Sequence, residues 1–204
     1  GHYYTPETGF VKYYQPIWED ASEAIQPVDF QSIRETLTQA VDKRLMSDVP
    51  IGVLLSGGLD SSLTSSIAVR LMKERGETLH SFSIGLDADA PDAKAARKVA
   101  EFLGTKHHEI HFTIEQGIEI LEKLIWHLET YDVTSIRAST PMYFLSKFIT
   151  EMGIKVVLSG EGADEIFGGY LYFRNTPSVA DFQKETIERV QKLHTADLLR
   201  ADKS

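Results

Sequence analysis

The 204-residue chain contains no cysteine. This absence excludes disulfide frameworks, thiolate metal sites and cysteine nucleophiles from the chain, and it favours a reducing compartment such as the cytoplasm. Long apolar runs are also missing, since none approaches the roughly 20 residues that a membrane-spanning helix needs. The sequence therefore predicts neither a membrane segment nor a membrane partner.

Basic side chains are scarce as well, because 21 lysines and arginines stand against 30 aspartates and glutamates. The resulting formal charge of −9 would repel a phosphate backbone, so we expect no nucleic-acid partner. Hydrophobic residues at 42% and charged residues at 25% match ordinary globular proteins. The composition thus predicts one folded domain with room for a small appendage.

The first 27 residues differ from the rest, because they hold six of the 20 aromatic side chains. Between these aromatics, Thr5-Pro6-Glu7-Thr8-Gly9 has the composition of a turn. Residues 2–14 are therefore predicted to form a hairpin. Two strands alone are marginally stable, so we expect the aromatic faces to pack on another surface.

From Pro27 onward, apolar strands alternate with amphipathic helices. The pattern predicts strands over 51–55, 79–84, 107–112 and 154–158. Helices are predicted over 29–46, 60–74, 92–103, 114–128, 141–152 and 178–194, with Pro141 opening the fifth. Helical spacing also predicts a core position for Trp126, Phe144 and Phe148.

This alternation predicts an α/β fold, a doubly wound and mostly parallel sheet with helices on both faces. Ligands of such sheets bind beyond the carboxyl ends of the strands. Two glycine-rich segments each follow a predicted strand, at residues 56–62 and 159–169. Both segments should therefore lie at the edge where a site is expected.

The first glycine-rich segment reads Ser56-Gly57-Gly58-Leu59-Asp60-Ser61-Ser62 and opens a helix. Its glycines let an anion approach the backbone, and the helix N-terminus favours a phosphate. It lacks the lysine of the ordinary phosphate loop, and no lysine or arginine occurs between Ser47 and Val69. A glycine turn capped by serines is the alternative interpretation.

The second segment places three carboxylates, those of Glu161, Asp164 and Glu165, among four glycines. Like charges so close together cost stability unless a cation is present. Magnesium beside a polyphosphate would explain the pattern, and an acidic solvated loop is the alternative.

A histidine-rich strand offers a weaker signal. Alternate residues of a strand share a face, so His107, Glu109 and His111 could meet a zinc ion. An exposed polar strand edge is the more common outcome of such a pattern, and we expect it here.

The two glycine-rich segments carry a family resemblance. Residues 56–62 resemble the pyrophosphatase loop of the N-type ATP pyrophosphatases, whose adenine nucleotide alpha hydrolase-like fold is the doubly wound sheet predicted above. The likeness is more specific to the synthetase domain of glutamine-hydrolysing asparagine synthetases, which is similar to this chain over residues 45–55, 131–141 and 158–170. The similarity runs through nearly the whole chain.

The resemblance implies a ligase reaction with ATP and Mg²⁺. ATP adenylates the side-chain carboxylate of aspartate, which gives β-aspartyl-AMP and pyrophosphate, and ammonia then gives asparagine and AMP. Another amide-forming ATP pyrophosphatase, of the β-lactam synthetase type, is one alternative. A module that holds ATP or AMP without turnover is a second.

The resemblance also implies roles for individual residues. The β- and γ-phosphates would be held by Ser56, Gly57, Gly58, Asp60, Ser61 and Ser62. Leu55 and Ile84 would frame the adenine, and Ser159 and Gly160 would contact the ribose or α-phosphate. Asp60 and Asp164 would bind magnesium pyrophosphate. The catalytic candidates are Asp60, Glu161 and Arg137.

Two of these candidates have specific chemical roles. Glu161 matches a glutamate associated with forming and turning over the acyl-adenylate, as a base toward the incoming ammonium. The planar fork of Arg137 suits the carboxylate of a substrate, and an ion pair on a helix surface is the alternative.

Domain organisation follows from the same resemblance. Residues 1–27 resemble the end of a glutaminase domain plus a linker, and residues 28–204 resemble a synthetase domain truncated at its C-terminus. In the full-length protein, the glutaminase domain would supply ammonia from glutamine, with a nucleophilic cysteine that this chain lacks. A homodimer is left open.

Overall fold

The computed structural model describes residues 1–20 and 27–192, which form two compact units. Residues 31–163 make the sheet unit, and residues 1–20, 27–30 and 164–192 make the second unit. The predicted linker residues 21–26 and the predicted helix end at 194 lie outside the described residues.

The strands are β1 (His2–Thr5), β2 (Gly9–Lys12), β3 (Ile51–Leu54), β4 (His80–Gly85), β5 (Lys106–His111) and β6 (Val156–Leu158). The α-helices are α1 (Phe30–Arg44), α2 (Leu59–Glu74), α3 (Pro91–Leu103), α4 (Ile114–Glu119), α5 (Leu121–Leu128), α6 (Val133–Glu151), α7 (Ala163–Phe167) and α8 (Val179–Lys192). Short 3-10 helices cover Ile17–Glu19 and Leu171–Asn175. None of the described helices has the length and apolarity needed to cross a bilayer.

The central sheet has the order β5-β4-β3-β6, and every neighbouring pair is parallel. From β3 the chain adds β4 and then β5 on one side, and it returns to place β6 on the other side. Val53 of β3 accordingly lies opposite Ser81 of β4 and Leu158 of β6. The strand order therefore reverses between β3 and β6, and the loops after these two strands emerge side by side.

The two faces of this sheet cover separate cores. One core joins α1, α2 and α3 to the sheet through Val41, Leu45, Ile51, Val53, Ile67, Ala68, Val69, Met72, Leu79 and Leu103. The other joins α6 to the sheet through Phe82, Leu145, Ile149 and Ile154. Gly52 leaves room for Phe82, because a Cβ there would lie 2.7 Å from the ring. The predicted doubly wound sheet is confirmed.

The predicted hairpin is also confirmed. β1 and β2 pair antiparallel with Tyr4 opposite Phe10, whose ring centroids lie 5.2 Å apart. The turn between the strands is closed by a hydrogen bond from the Thr8 N–H to Thr5 Oγ1. Most of the aromatic side chains stay exposed within the second unit.

The predicted helix start at Pro141 is wrong, because α6 begins at Val133 and carries Pro141 in its interior. Asp132 caps this helix by accepting a hydrogen bond from the Ser135 N–H at 2.8 Å. Proline removes one backbone hydrogen bond and crowds the preceding turn. Burial of Leu145 and Ile149 against the sheet holds the helix together despite that cost.

Two other predicted boundaries change. The predicted helix over 114–128 is two helices, since Ile120, with φ −87° and ψ −7°, ends α4 and precedes α5. The predicted turn over 159–169 contains α7. Gly168, at φ +64°, and a hydrogen bond from the Gly169 N–H to the Asp164 carbonyl end this helix in a Schellman motif. The glycines there cap a helix as well as form turns.

The core prediction is wrong for Trp126 and confirmed for Phe148, and Phe144 is half-buried. Trp126 is 79% exposed on the outer side of α5, because the helix buries Leu124 instead. Phe144 stacks on Phe112, and Phe148 packs against the Phe82 core.

The histidines of β4 and β5 are held by short polar contacts. His107 reaches Ser81 Oγ at 2.9 Å through Nδ1 and Ser83 Oγ at 3.1 Å through Nε2. On the opposite face, His80 Nδ1 and His108 Nε2 lie 2.9 Å apart. Burial lowers the pKa of all three imidazoles, and Lys106 further lowers the pKa of His80 and His108.

Two of the three side chains that could meet a zinc ion have other partners in the structure. β5 is the edge strand of the sheet, as predicted, but its residues 107–110 are half-buried rather than exposed. Both ring nitrogens of His107 serve serine hydroxyls, and Glu109 pairs with Arg97. Over residues 1–20 and 27–192, no group of three metal-ligating side chains converges.

We predict that the free energy of unfolding falls as the pH drops from about 7.5 to 5.5. Since the folded-state pKa values of His80, His107 and His108 lie below the ordinary 6.5, the unfolded state binds more protons in this range. Urea denaturation at a series of pH values measures the effect. His107→Gln should flatten the slope, and the same change at exposed His127 is the matched control. A wild-type free energy that does not change with pH would contradict the prediction.

Candidate active site

The first glycine loop joins β3 to α2 and rests on α3. Gly57 has φ +81°, a conformation that disfavours any side chain. A Cβ at Gly57 would lie 2.5 to 2.7 Å from atoms of Ala95 and Ala96. Only glycine fits this position, so the loop approaches the helix backbone directly.

Serine hydroxyls close this loop into a ring. Ser61 Oγ accepts a hydrogen bond from the Ser56 N–H at 3.2 Å and lies 2.9 Å from Ser56 Oγ. It also donates to the Gly58 carbonyl at 3.3 Å. Ser61 is buried, so the ring is a fixed frame between the strand and the helix.

The N-terminus of α2 belongs to this ring. Gly58 is the N-cap and has no side chain to accept hydrogen bonds from the first turn, so those N–H groups can meet an anion. Asp60 lies in the same turn. Ser62 Oγ is buried and has no hydrogen-bond partner among the described residues, so it would have to turn outward to reach a ligand.

The second glycine loop sits directly on the first. A Cβ at Gly160 would lie 2.8 Å from the Ser61 nitrogen and 2.9 Å from the Asp60 Cβ. Ser159 Oγ accepts a hydrogen bond from the Glu161 N–H at 3.3 Å, and the Glu161 side chain is exposed. The structure thus brings the two loops together at the reversal of strand order.

Leu55 directly follows β3, and Ile84 lies near the end of the neighbouring strand β4. The Leu55 N–H donates to the Phe82 carbonyl at 2.8 Å, and its side chain is 1% exposed. Ile84 is half-buried against the core beneath α6. Both residues can border a planar ligand, Leu55 chiefly through its backbone.

Arg137 lines a groove that neither glycine loop borders. Its exposed side chain lines an apolar groove of about 540 Å³, together with Leu86, Phe112 and residues of α4, α5 and α6. The lining of this groove includes no residue of either glycine loop. Leu86 and Phe112 follow β4 and β5, so the groove belongs to the same edge of the sheet.

Asp164 belongs to the second unit and opens its C-terminal segment. Its carboxylate lies over Gly169, where a Cβ would overlap Oδ1 of Asp164. The neighbouring Glu165 accepts a hydrogen bond from the Tyr170 hydroxyl, which raises the pKa of Tyr170 to about 12.

Sequence reasoning missed the part played by α3. Ala95 and Ala96 support the first glycine loop, and Arg97 pairs with Glu109 at 3.0 Å. The sequence marks this helix only by an alanine-rich stripe, which indicates close packing without naming the partner.

The family described as Asparagine synthase matches residues 32–204. The chain belongs to the asparagine synthase family.

Full-length relatives agree with this assignment. Asparagine synthetase [glutamine-hydrolyzing] 1 of Arabidopsis thaliana is 52% identical over 211 residues, which cover 100% of this chain and 36% of the relative. A probable asparagine synthetase of Schizosaccharomyces pombe is 55% identical, covering 100% of this chain and 40% of the relative. The chain therefore spans about two fifths of the length of these family members.

A looser likeness exists among solved structures. The NH3-dependent NAD synthetase from Campylobacter jejuni shares 21% identity, with a TM-score of 0.48 over 70% of this chain and 61% of that chain.

We predict that Gly160→Ala lowers the free energy of unfolding by about 1–3 kcal/mol, because the new methyl group would overlap the backbone of α2. Urea denaturation measures the loss. The matched control is Gly85→Ala, whose Cβ would meet its nearest atom at 3.7 Å and which should change stability by less than about 0.5 kcal/mol. Equal effects of the two substitutions would show that the loop contact is loose.

Proposed function

We propose that this chain carries the nucleotide-binding and adenylating part of an asparagine synthetase. The observation that supports this most directly is the seating of Gly160 on the first turn of α2, which joins two glycine loops where the strand order reverses. Open parallel sheets bind nucleotides at such reversals. Family membership supplies the choice of reaction.

The triphosphate of ATP fits the first loop. The backbone N–H groups of Gly57, Gly58 and the start of α2 donate hydrogen bonds to the β- and γ-phosphates, with hydroxyls of Ser56 and Ser61 beside them. Leu55 and Ile84 border the adenine. Ser159 and Gly160 meet the ribose or α-phosphate from the second loop.

The charge of the chain favours a metal ion at this site, with basic residues further along as a second source of positive charge. The chain carries a formal charge of −9, and no lysine or arginine occurs between Ser47 and Val69. The Asp60 carboxylate is the kind of oxygen ligand that Mg²⁺ takes together with substrate phosphates. The bound ion would offset phosphate charge. Asp164, in the second unit, remains a predicted ligand of the Mg²⁺ ion.

The reaction proceeds in two displacements on the substrates. A side-chain carboxylate oxygen of aspartate attacks the α-phosphorus of ATP, and the bond to pyrophosphate breaks. Ammonia then attacks the acyl carbon of β-aspartyl-AMP, and AMP leaves with the bonding electron pair. Glu161 accepts the proton that nitrogen loses, since its exposed side chain comes directly after Gly160, which touches Asp60.

Arg137 binds the α-carboxylate of aspartate in this proposal. Its exposed guanidinium lies at the same edge of the sheet, on the rim of the apolar groove. Planar guanidinium groups suit bidentate contact with carboxylates. In a full-length protein, a glutaminase domain supplies the ammonia, and the cytoplasm is the proposed location.

The first test measures ATP cleavage by the chain with magnesium, aspartate and ammonium chloride. Pyrophosphate and AMP that depend on aspartate would support the proposal, and asparagine would identify the product. ADP and phosphate would overturn it. ATP binding without any cleavage would favour a nucleotide-binding module instead.

Asp60→Asn should lower aspartate-dependent pyrophosphate release at least about tenfold. The substitution removes the one carboxylate of the first glycine loop, which would bind the metal ion. The matched control is Asp48→Asn, at an exposed position before β3. Equal rates for the two variants would remove Asp60 from the site.

Glu161→Gln should lower asparagine formation about 100-fold while ATP affinity stays within about twofold of wild type, because the amide cannot accept the proton. Calorimetric ATP binding and amino-acid analysis measure the two quantities. Glu119→Gln on the exposed side of α4 is the matched control. Loss of ATP affinity in Glu161→Gln would instead assign this residue to nucleotide binding.

A further inference from the structure

We propose that Arg97 is a positioning residue for the base of the bound nucleotide. Arg97 binds Glu109 and the carbonyl of Ala88, and these contacts hold the loop that follows β4. The end of β4 carries Ile84, which borders the adenine in the proposed site. This inference rests on the proposed nucleotide site and extends it to residues away from the glycine loops.

One guanidinium joins three parts of the sheet unit. Arg97 Nε donates to Glu109 Oε2 at 3.0 Å, and Nη2 donates to Glu109 Oε1 at 3.1 Å. Nη2 also donates to the Ala88 carbonyl at 2.9 Å. Arg97 belongs to α3, Glu109 to β5, and Ala88 to the loop between β4 and α3. The fork therefore ties that loop to the neighbouring strand.

The pair is built to stay charged. The Glu109 side chain is 16% exposed, and hydrogen bonds from Arg97 hold the pKa of its carboxyl below the ordinary value. His111 Nε2 lies 3.1 Å from Glu109 Oε1 on the same strand. A bidentate pair in this setting has a fixed geometry, which a single lysine contact does not reproduce.

The same turn of α3 supports the phosphate loop. Ala95 and Ala96 lie against Gly57, and Arg97 follows them directly. Three successive residues of one helix thus contact the loop after β3, the loop after β4 and the edge strand β5. A rigid helix turn sets the distance between the proposed phosphate and adenine ends of the site.

A second cation reaches the same β4 loop without comparable support. Lys94 Nζ lies 3.2 Å from Asp89 Oδ1, with the two side chains 53% and 86% exposed. Exposed pairs of this kind contribute little, because solvent screens them. Lys94 is therefore a matched control for Arg97, since it is a cation of the same helix that contacts the same loop.

Calorimetry on the folded chain should compare two probes in magnesium chloride, ATP and inorganic tripolyphosphate. If Arg97 acts through the β4 loop, Arg97→Met weakens ATP binding about tenfold and leaves tripolyphosphate within about twofold of wild type. Arg97→Lys and Glu109→Gln should also weaken ATP binding relative to tripolyphosphate binding. Lys94→Met should leave both affinities near wild type.

The outcomes separate this inference from the proposed function. A wild-type chain that binds neither probe overturns the proposed function and the inference with it. Wild-type binding with unchanged ATP affinity in Arg97→Met and Glu109→Gln overturns the inference alone. Equal weakening of both probes would show general destabilisation and also overturn it. Circular dichroism checks folding, and Glu109→Gln decides the question if Arg97→Met does not fold.

Discussion

The close approach of Gly160 to the backbone of Asp60 and Ser61 is the contact on which the candidate site depends. Parallel pairing of β6 with β3 brings the two loops side by side, and the missing side chain at Gly160 lets them touch. Gly57 repeats the device on the other side, where the first loop meets α3. Two glycines thus let three backbone segments converge at one edge of the sheet.

An acidic chain that holds a polyphosphate must solve a charge problem. Helix N–H groups and a metal ion can do what a lysine does in the ordinary phosphate loop. In the proposed function, the carboxylate of Asp60 serves as an oxygen ligand and that of Glu161 as a proton acceptor. Arg97 shows the complementary arrangement, because Glu109 neutralises its charge and holds its guanidinium in a bidentate contact.

Most of the fold follows from local pattern. Alternating apolar strands and amphipathic helices predict the parallel sheet, and the predicted strand positions agree within about two residues. Pro141 and Trp126 misled this reasoning for physical reasons. Proline at 141 is tolerated because Leu145 and Ile149 anchor α6 to the sheet, and Trp126 is exposed because α5 turns Leu124 inward. Local preference yields to tertiary packing at both positions.

By itself, the sequence determined the class of fold, the two glycine segments and the likeness to a family, because these depend on residue order and spacing along the chain. The tertiary structure alone decided which segments touch. Gly160 meets Asp60, Arg97 reaches Ala88 and Glu109, and His107 bonds to Ser81 and Ser83. Such contacts join elements that pattern treats separately, and they arise only when the strand order brings distant backbone segments within hydrogen-bonding or van der Waals distance.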